Sequence, residues 1–313
     1  MVDGGDVRMN AASSPSQQQS SAAQPRRKAL ITGMGGQLAR ELVATASNHV
    51  EIVTLDQSQL DISDHDAVLR AVREISPDVL FNAAAYTAVD LAEKEPEVAD
   101  RVNHLAVGYL ADAARASGAR LAHVSTDYVF DGLSPVPYQP NHPTAPASVY
   151  GRTKRDGELA ALQAPSALVV RTAWVYAHHG KNFVATMLRL MSERDEVRVV
   201  ADQVGTPTSA SGLARAMWSL VGAGASGIYH WTDAGVASWY DFAVAIREEA
   251  AALGATKIGR VRVTPIRTVD YPTPARRPAM SVLSKDATWA LIGPARHWRE
   301  ELRQVLSRME LPK

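Results

Sequence analysis

Residues 29–39 read Ala29-Leu30-Ile31-Thr32-Gly33-Met34-Gly35-Gly36-Gln37-Leu38-Ala39, a strand, a glycine turn and the start of a helix in eleven residues. The apolar run Ala29–Thr32 predicts a short buried strand, and Gln37–Ala46 predicts a helix. The glycines between them allow a tight turn whose backbone can approach a pyrophosphate at the helix N-terminus. As Gly-x-Gly-x-x-Gly the pattern fails at Leu38. As Gly-x-x-Gly-x-x-Gly it fits with Gly33, Gly36 and Ala39, alanine being the smallest replacement. Asp56 closes the next apolar segment, Glu51–Asp56, where a carboxylate can bond an adenosine ribose. The bland alternatives are a plain strand–helix turn and a plain strand-end aspartate.

Outward from this turn the chain keeps alternating. Helices are expected at Ser63–Ile75, with Ser63 or Asp64 as N-cap, at Pro96–Ser117 and at Ser148–Leu162. Strands are expected at Asp78–Phe81, Leu121–Ser125 and Ala167–Arg171. Such alternation predicts an α/β fold, a doubly wound parallel sheet of Rossmann type, with a smaller C-terminal α/β substrate domain. Further along, Phe183–Arg194, Ser211–Val221 and Trp239–Leu253 read as helices, and Val197–Val200 and Gly227–Trp231 as strands. The Pro- and Arg-rich segment Thr264–Ser281 reads as an ordered loop. The chain is expected to cross back to the sheet around Ser211–Trp231. The dinucleotide-binding domain is then 29–175 plus about 205–235, and the substrate domain about 176–204 plus 236–313.

The 313 residues are 46% hydrophobic and 21% charged, with a formal net charge of zero. That composition is ordinary for a soluble protein and offers nothing to a nucleic acid. There are no cysteines, which removes disulfide and thiolate chemistry and fits a reducing, cytoplasmic setting. No stretch approaches the ~20 apolar residues of a membrane span. Residues 1–28, with Asn10–Pro25 almost free of apolar side chains, read as a disordered tail lacking the core of a signal peptide.

Tyr150-Gly151-Arg152-Thr153-Lys154 is the second motif. Four residues apart on a helix, a phenol and an ammonium share one face. The cation is expected to lower the phenol's ordinary pKa near ~10, giving an acid that donates at neutral pH. The bland alternative is a helix-surface pair. Position favours chemistry, because the helix follows a strand ending in Ser125-Thr126, and strand carboxyl ends line the ligand crevice of this fold. The nine histidines show no His-x-His or His-x-x-x-His spacing, and His178-His179 reads as loop and not as a metal site.

Together these motifs resemble the extended short-chain dehydrogenase/reductase superfamily. Within it, several strings resemble the dTDP-4-dehydrorhamnose reductase family: Gly36-Gln37-Leu38, Asn82-Ala-Ala-Ala-Tyr-Thr-Ala-Val-Asp90, and Ser125-Thr-Asp-Tyr-Val-Phe-Asp-Gly132. So do Arg171-Thr-Ala-Trp-Val-Tyr176, Lys181-Asn182-Phe183, Asp202-Gln-Val-Gly-Thr-Pro-Thr208 and Arg277-Pro-Ala-Met-Ser281. The likeness runs from about Ala29 to the C-terminus. The resemblance implies reduction of the 4-keto group of dTDP-4-dehydro-L-rhamnose, a cell-wall polysaccharide precursor step, by hydride from a nicotinamide cofactor. It implies Tyr150 as the acid, Lys154 as the residue that tunes Tyr150 and holds the nicotinamide ribose, and Thr126 on the substrate oxygen. It places Gly33, Gly35, Gly36, Gln37, Leu38, Asp56, Asp61, Ile62, Ala84, Ala85 and Tyr86 at the cofactor. It places Asp127, Tyr128, Trp174, Asn182, Arg276 and Arg277 at the dTDP-sugar, the two arginines as forks for the diphosphate. NADPH and NADH both remain open, Asp56 leaning toward NADH. Magnesium and a homodimer are admitted by the family, with no ligands assignable, and a monomer is equally compatible. Thr126 is followed by Asp127-Tyr128 and not by the Asp-Glu pair of the 4,6-dehydratases, which argues against water elimination. A 4-epimerase, or a non-catalytic subunit resembling methionine adenosyltransferase β, are the remaining alternatives.

Overall fold

The computed structural model describes residue 1 and residues 27–312. The tail reading of 1–28 therefore lies almost wholly outside the described residues. Arg27 and Lys28 already belong to the first strand, where the Lys28 backbone N–H donates to Asp78 at 2.6 Å.

The first half of the fold runs β1 (Arg27–Thr32), α1 (Gln37–Ala44), β2 (Val50–Leu55), α2 (His65–Ile75), β3 (Val79–Asn82), the short α3 (Val89–Ala92) and α4 (Pro96–Asp100), α5 (Ala106–Ser117), β4 (Arg120–Thr126), α6 (Val149–Ala161) and β5 (Leu168–Thr172). Then follow β6 (Val175–Tyr176), α7 (Phe183–Glu193), β7 (Glu196–Val200), β8 (Val204–Gly205), β9 (Thr208–Ser209), α8 (Ala210–Gly222) and β10 (Gly227–His230). The chain ends with β11 (Ala237–Ser238), α9 (Trp239–Ala252), α10 (Thr256–Gly259), β12 (Arg262–Ile266), α11 (Asp286–Ile292) and α12 (Trp298–Leu306).

Six strands form one sheet in the order β10-β5-β4-β3-β1-β2, every neighbouring pair parallel. Side chains alternate across it, as strand geometry requires. On one face Leu30, Leu80, Leu121 and Val169 pack under α2 and α5. On the other, Ala29, Ile31, Phe81 and Val170 pack under α1 and α8. Covering both faces is what a parallel sheet of near-continuous apolar strands needs. A separate core joins α7, α9, α12, β7 and β12 through Tyr176, Met191, Phe242, Ile246 and Leu302. No helix among the described residues is long and apolar enough to cross a membrane.

Asp64 proves to be the cap of α2, accepting from the Ala67 N–H at 2.9 Å. The helix expected over Pro96–Ser117 is broken by a wide π-type turn, Arg101–Leu105. Apolar spacing cannot reveal the inserted turn, because the helix axis continues through it. The segment expected as loop from Thr264 instead begins inside a strand, β12 (Arg262–Ile266), paired in parallel with β7. Val263 buries itself there, and Pro265 is tolerated because this two-stranded sheet has only edges. The helices α11 and α12 were not anticipated.

Candidate active site

The glycine turn leaves the carboxyl end of β1. Gly33 has φ +77°, and a Cβ there would stand 2.7 Å from the Ala84 Cα, so glycine alone allows the two loops to meet. The Gly33 N–H donates to Leu55 O, and the Gly36 N–H closes the turn on Gly33 O at 2.9 Å. Gly36 caps α1 without a side-chain acceptor, and Gly35 faces open space. The first N–H groups of α1 are thus offered outward, the arrangement a pyrophosphate uses. The Leu38 side chain is buried in the core beneath the sheet. Only its backbone borders the turn. Ile62 is likewise a core side chain.

Asp56 spends one carboxylate oxygen on its own turn, accepting from the Ser58 N–H and hydroxyl and from the Gln59 N–H at 2.6–3.1 Å. These bonds hold it below the ordinary carboxylate range. Asp61 does the same with Ser63. After β3, Ala84 donates to Asn82 Oδ1 at 3.2 Å. Tyr86 is fixed by Asn103, which accepts from its N–H at 2.9 Å and donates to its carbonyl at 3.1 Å. The wide turn at Arg101–Leu105 is what aims Asn103 inward, where it also donates to Thr153 on α6.

Ser148 caps α6 through the Gly151 N–H. Gly151 and Gly157 lie so close to the Tyr128 and Asn103 carbonyls that a Cβ at either would overlap them. The pair of close approaches presses α6 onto the end of β4. Tyr150 and Thr126 are brought together there, the threonine acting to lower the phenol's pKa, and the Thr126 hydroxyl donates to Asp127 Oδ1 at 2.9 Å. The Tyr128 ring meets Tyr150 edge-on at 5.5 Å. Burial pushes the Asp127 carboxyl up to about 6, against the Ser281 and Thr126 hydroxyls that pull it down.

Lys154 does not behave as expected. Its Nζ turns inward to β4, donating to the Val124 carbonyl at 2.6 Å and standing 3.3 Å from His123 Nε2. Burial lowers the amine to about 8, with Glu158 pulling the other way. The Tyr150 phenol stands above its ordinary range, because burial outweighs the Thr126 contact. The expected lowering of the phenol by the lysine is thus corrected: desolvation dominates, and the ammonium points at the strand.

A cleft of about 800 Å³ opens beside Tyr128, lined among others by Asp90, Phe183, Met187, Trp239 and Arg277. Trp174, at φ +50°, stacks flat on Trp239 at 3.6 Å and borders this region. Arg277 donates to Asp90 at 2.6 Å and to the Tyr128 hydroxyl at 3.2 Å. Burial raises the Tyr128 phenol to about 12. Arg276 is exposed and outside the cleft lining. Asn182 caps α7 through the Ala185 N–H and donates to Gln37 Oε1 and the Ala177 carbonyl, both at 2.9 Å. Its polar atoms join the glycine-turn helix to α7 and are already engaged. Near this seam the His178 and His179 imidazoles converge on buried Glu41, with Arg308 beside them.

Residues 27–311 match the family model described as the RmlD substrate binding domain. The chain belongs to this family. It is 45% identical to the dTDP-4-dehydrorhamnose reductase of Burkholderia thailandensis over 83% of this chain and 91% of that one. Among solved structures, the dTDP-4-dehydrorhamnose reductase of Clostridium acetobutylicum superposes with TM-score 0.84 at 41% identity, covering 90% of this chain and 98% of that one. The Bacillus anthracis reductase in complex with NADP gives TM-score 0.85 at 35% identity, covering 90% and 99%.

Among the residues at or behind the site, Asp90, Asn103, His123 and Trp239 escaped the sequence analysis. Asp90 ends a string already singled out, Asn82–Asp90, and so carried a signal. Asn103 and His123 carried none, being isolated polar residues within a helical segment and a strand, with no motif around them to read. Trp239 gave no hint of its stack on Trp174.

Proposed function

We infer that the chain reduces the 4-keto group of dTDP-4-dehydro-L-rhamnose to dTDP-L-rhamnose. The observation that carries this reading is the 45% identity to a reductase of that name over nine-tenths of its length. The cofactor proposed is NADPH, supported by the NADP complex of the B. anthracis relative. The residues present fit such a group: a left-handed glycine at the turn, an uncapped α1 N-terminus, and a glycine facing open space. When bound, the nicotinamide supplies the hydride to the ketone carbon.

In this reading the chain's own residues do the rest. Tyr150 holds its proton through the neutral range, because burial raises its phenol. It releases that proton to the carbonyl oxygen once this has become an alkoxide, a far stronger base. Thr126, at the end of β4 beside α6, bonds the same oxygen and fixes its position. Lys154 gives one N–H to the Val124 carbonyl and faces the His123 ring, and it presents a remaining N–H to the nicotinamide ribose. Gly33, Gly35, Gly36 and the Gln37 and Leu38 backbone receive the pyrophosphate. Ala84, Ala85 and Tyr86 border the nicotinamide side, and Asp56, Asp61 and Ile62 the adenosine side. Asp127, Tyr128 and Trp174 border the sugar, and Arg277, with Arg276 further out, serves the diphosphate end, while Asn182 acts at the seam through Gln37. The two-part division of the chain is proposed with it, supported by α8 packing on α1 and by β10 pairing with β5.

The test is turnover of dTDP-4-dehydro-L-rhamnose with NADPH and with NADH in turn. One cofactor oxidised per alcohol formed is expected. Sugar isomerised without net oxidation would mean an epimerase. Binding without turnover would mean a regulatory subunit.

A further inference from the structure

Behind Lys154 runs a closed line of buried hydrogen bonds. The Thr32 hydroxyl donates to Asn82 Oδ1 at 2.9 Å, and the Ala84 backbone N–H donates to the same oxygen at 3.2 Å. Asn82 Nδ2 stands 3.1 Å from His123 Nδ1, and His123 Nε2 stands 3.3 Å from Lys154 Nζ. Thr32, Asn82, His123 and Lys154 are all buried.

Donor counting fixes the protons. A backbone N–H can only donate, so the oxygen of Asn82 must face Ala84 and its amide nitrogen must face His123. His123 Nδ1 therefore accepts, and the neutral imidazole carries its proton on Nε2. That Nε2–H points at Lys154 Nζ. An ammonium has three N–H groups and no lone pair, whereas the neutral amine can accept. Flipping Asn82 to free the imidazole would set its NH₂ against the Ala84 N–H and leave buried donors unpaired, which costs more than the flip could gain.

We propose that His123 is a positioning residue for the reduction, whose Nε2–H, locked by Asn82 and Thr32, seats the Lys154 amine against the Val124 carbonyl and disfavours its ammonium form. The proposal rests on the reading of Lys154 as the lysine that serves the reaction. The direction agrees with the lowered amine and with a His123 held neutral by burial and by Lys154. Other charged groups on the elements around α6 are engaged elsewhere. Glu158 of α6 itself binds Arg171 of β5 through both oxygens. Asp127 accepts from Thr126, Glu93 after α3 from the Val149 N–H, and Glu95 before α4 from Tyr86. Asp100 of α4 pairs with His104, and Asp112 of α5 with Arg115. None of these bonds Nζ. An amine with a weakened hold on its proton hands it back to a phenolate more readily than an ordinary lysine does.

The experiment has two readouts on the full-length protein. Nitrogen-15 NMR of histidine-labelled protein reads the tautomer without turnover, so a wrong tautomer and a wrong reading of the reaction are told apart. Nε2 protonated and Nδ1 bare is expected between pH 6 and about pH 9. A His123 that is protonated on Nδ1, or doubly protonated, overturns the proposal. Asn82→Asp puts an acceptor before Nδ1, reverses the tautomer and turns a lone pair toward Lys154. His123→Gln offers Lys154 a carbonyl. In both variants the alkaline limb of kcat, expected near 8 in the parent, moves up by about one unit or more. A merely structural role would scale kcat or lower Tm and leave that limb in place, and an unmoved limb in both variants overturns the proposal.

Discussion

At the scale of single residues, the site sets three burial effects against one another. Tyr150 is pushed toward holding its proton, Lys154 toward losing one, and Asp127 toward staying protonated. Tyr150→Phe removes the donor and leaves the ring. Turnover is expected to fall by ~10²–10⁴ with cofactor affinity unchanged, as read by steady-state rates and fluorescence titration. A loss of only a few-fold would assign the proton to another group. Asp127 gives a linkage prediction. Its folded pKa, about 6, lies above the ordinary aspartate value of 3.8. The folded state therefore binds more protons than the unfolded state across that window, and stability contributed by the group is lost as pH rises through it. The whole effect is on the order of 3 kcal/mol, two units at ~1.4 kcal/mol each. Asp127→Asn cannot titrate, so urea denaturation should show the variant gaining on the parent between about pH 4 and about pH 7.5. A constant difference would show that the carboxyl ionises freely in the folded protein. Tyr150, Lys154 and Thr126 were legible because each sits in a string with neighbours. The direction of the phenol shift was not, because sequence spacing shows that two groups share a helix face and says nothing of how deeply each is desolvated.

At the scale of elements, the alternation of strands and helices was legible from Ala29 to Arg171, where apolar runs are short and glycines punctuate them. The π-type turn before α5 was not, nor β12, whose single buried valine gives no period to read. The decisive contact is α6 on that turn. Gly157 admits the Asn103 carbonyl where a methyl group would overlap it. Gly157→Ala should force α6 outward and cost about 1–3 kcal/mol, on the scale of overpacking. Thermal denaturation measures the loss, and activity should fall further than stability because Tyr150 and Lys154 travel with the helix. A variant as stable and as active as the parent would show that α6 has slack. The buried Glu158–Arg171 fork, with side chains 3% exposed at both ends, ties the same helix to β5.

At the scale of the whole molecule, the two cores are joined by polar side chains that bridge α1 and α7. Asn182 supplies a helix cap and a bond to Gln37 at once. Asn182→Ala should cost about 1–2 kcal/mol as a lost cap. It should also raise KM for the cofactor more than it lowers kcat, since Gln37 begins the helix offered to the pyrophosphate. Equal changes in both constants would place Asn182 in the reaction instead of in the seam. The return of the chain to the sheet near residue 227 was legible in the short apolar run Gly227–Trp231. The seam was not, because its partners lie about 145 positions apart.

The place of β10 at the edge of the sheet has a consequence for synthesis. A polypeptide leaves the ribosome N-terminus first, and β5 emerges more than fifty residues ahead of the strand that pairs with its outer edge. Until then that edge shows unpaired backbone N–H and C=O groups, the kind of surface that recruits other strands. The segment made in the interval, 173–226, supplies α7, α8 and β7 but nothing that covers β5 in the sheet. A nascent chain stalled before Gly227 should therefore depend on holding chaperones more than one released after His230.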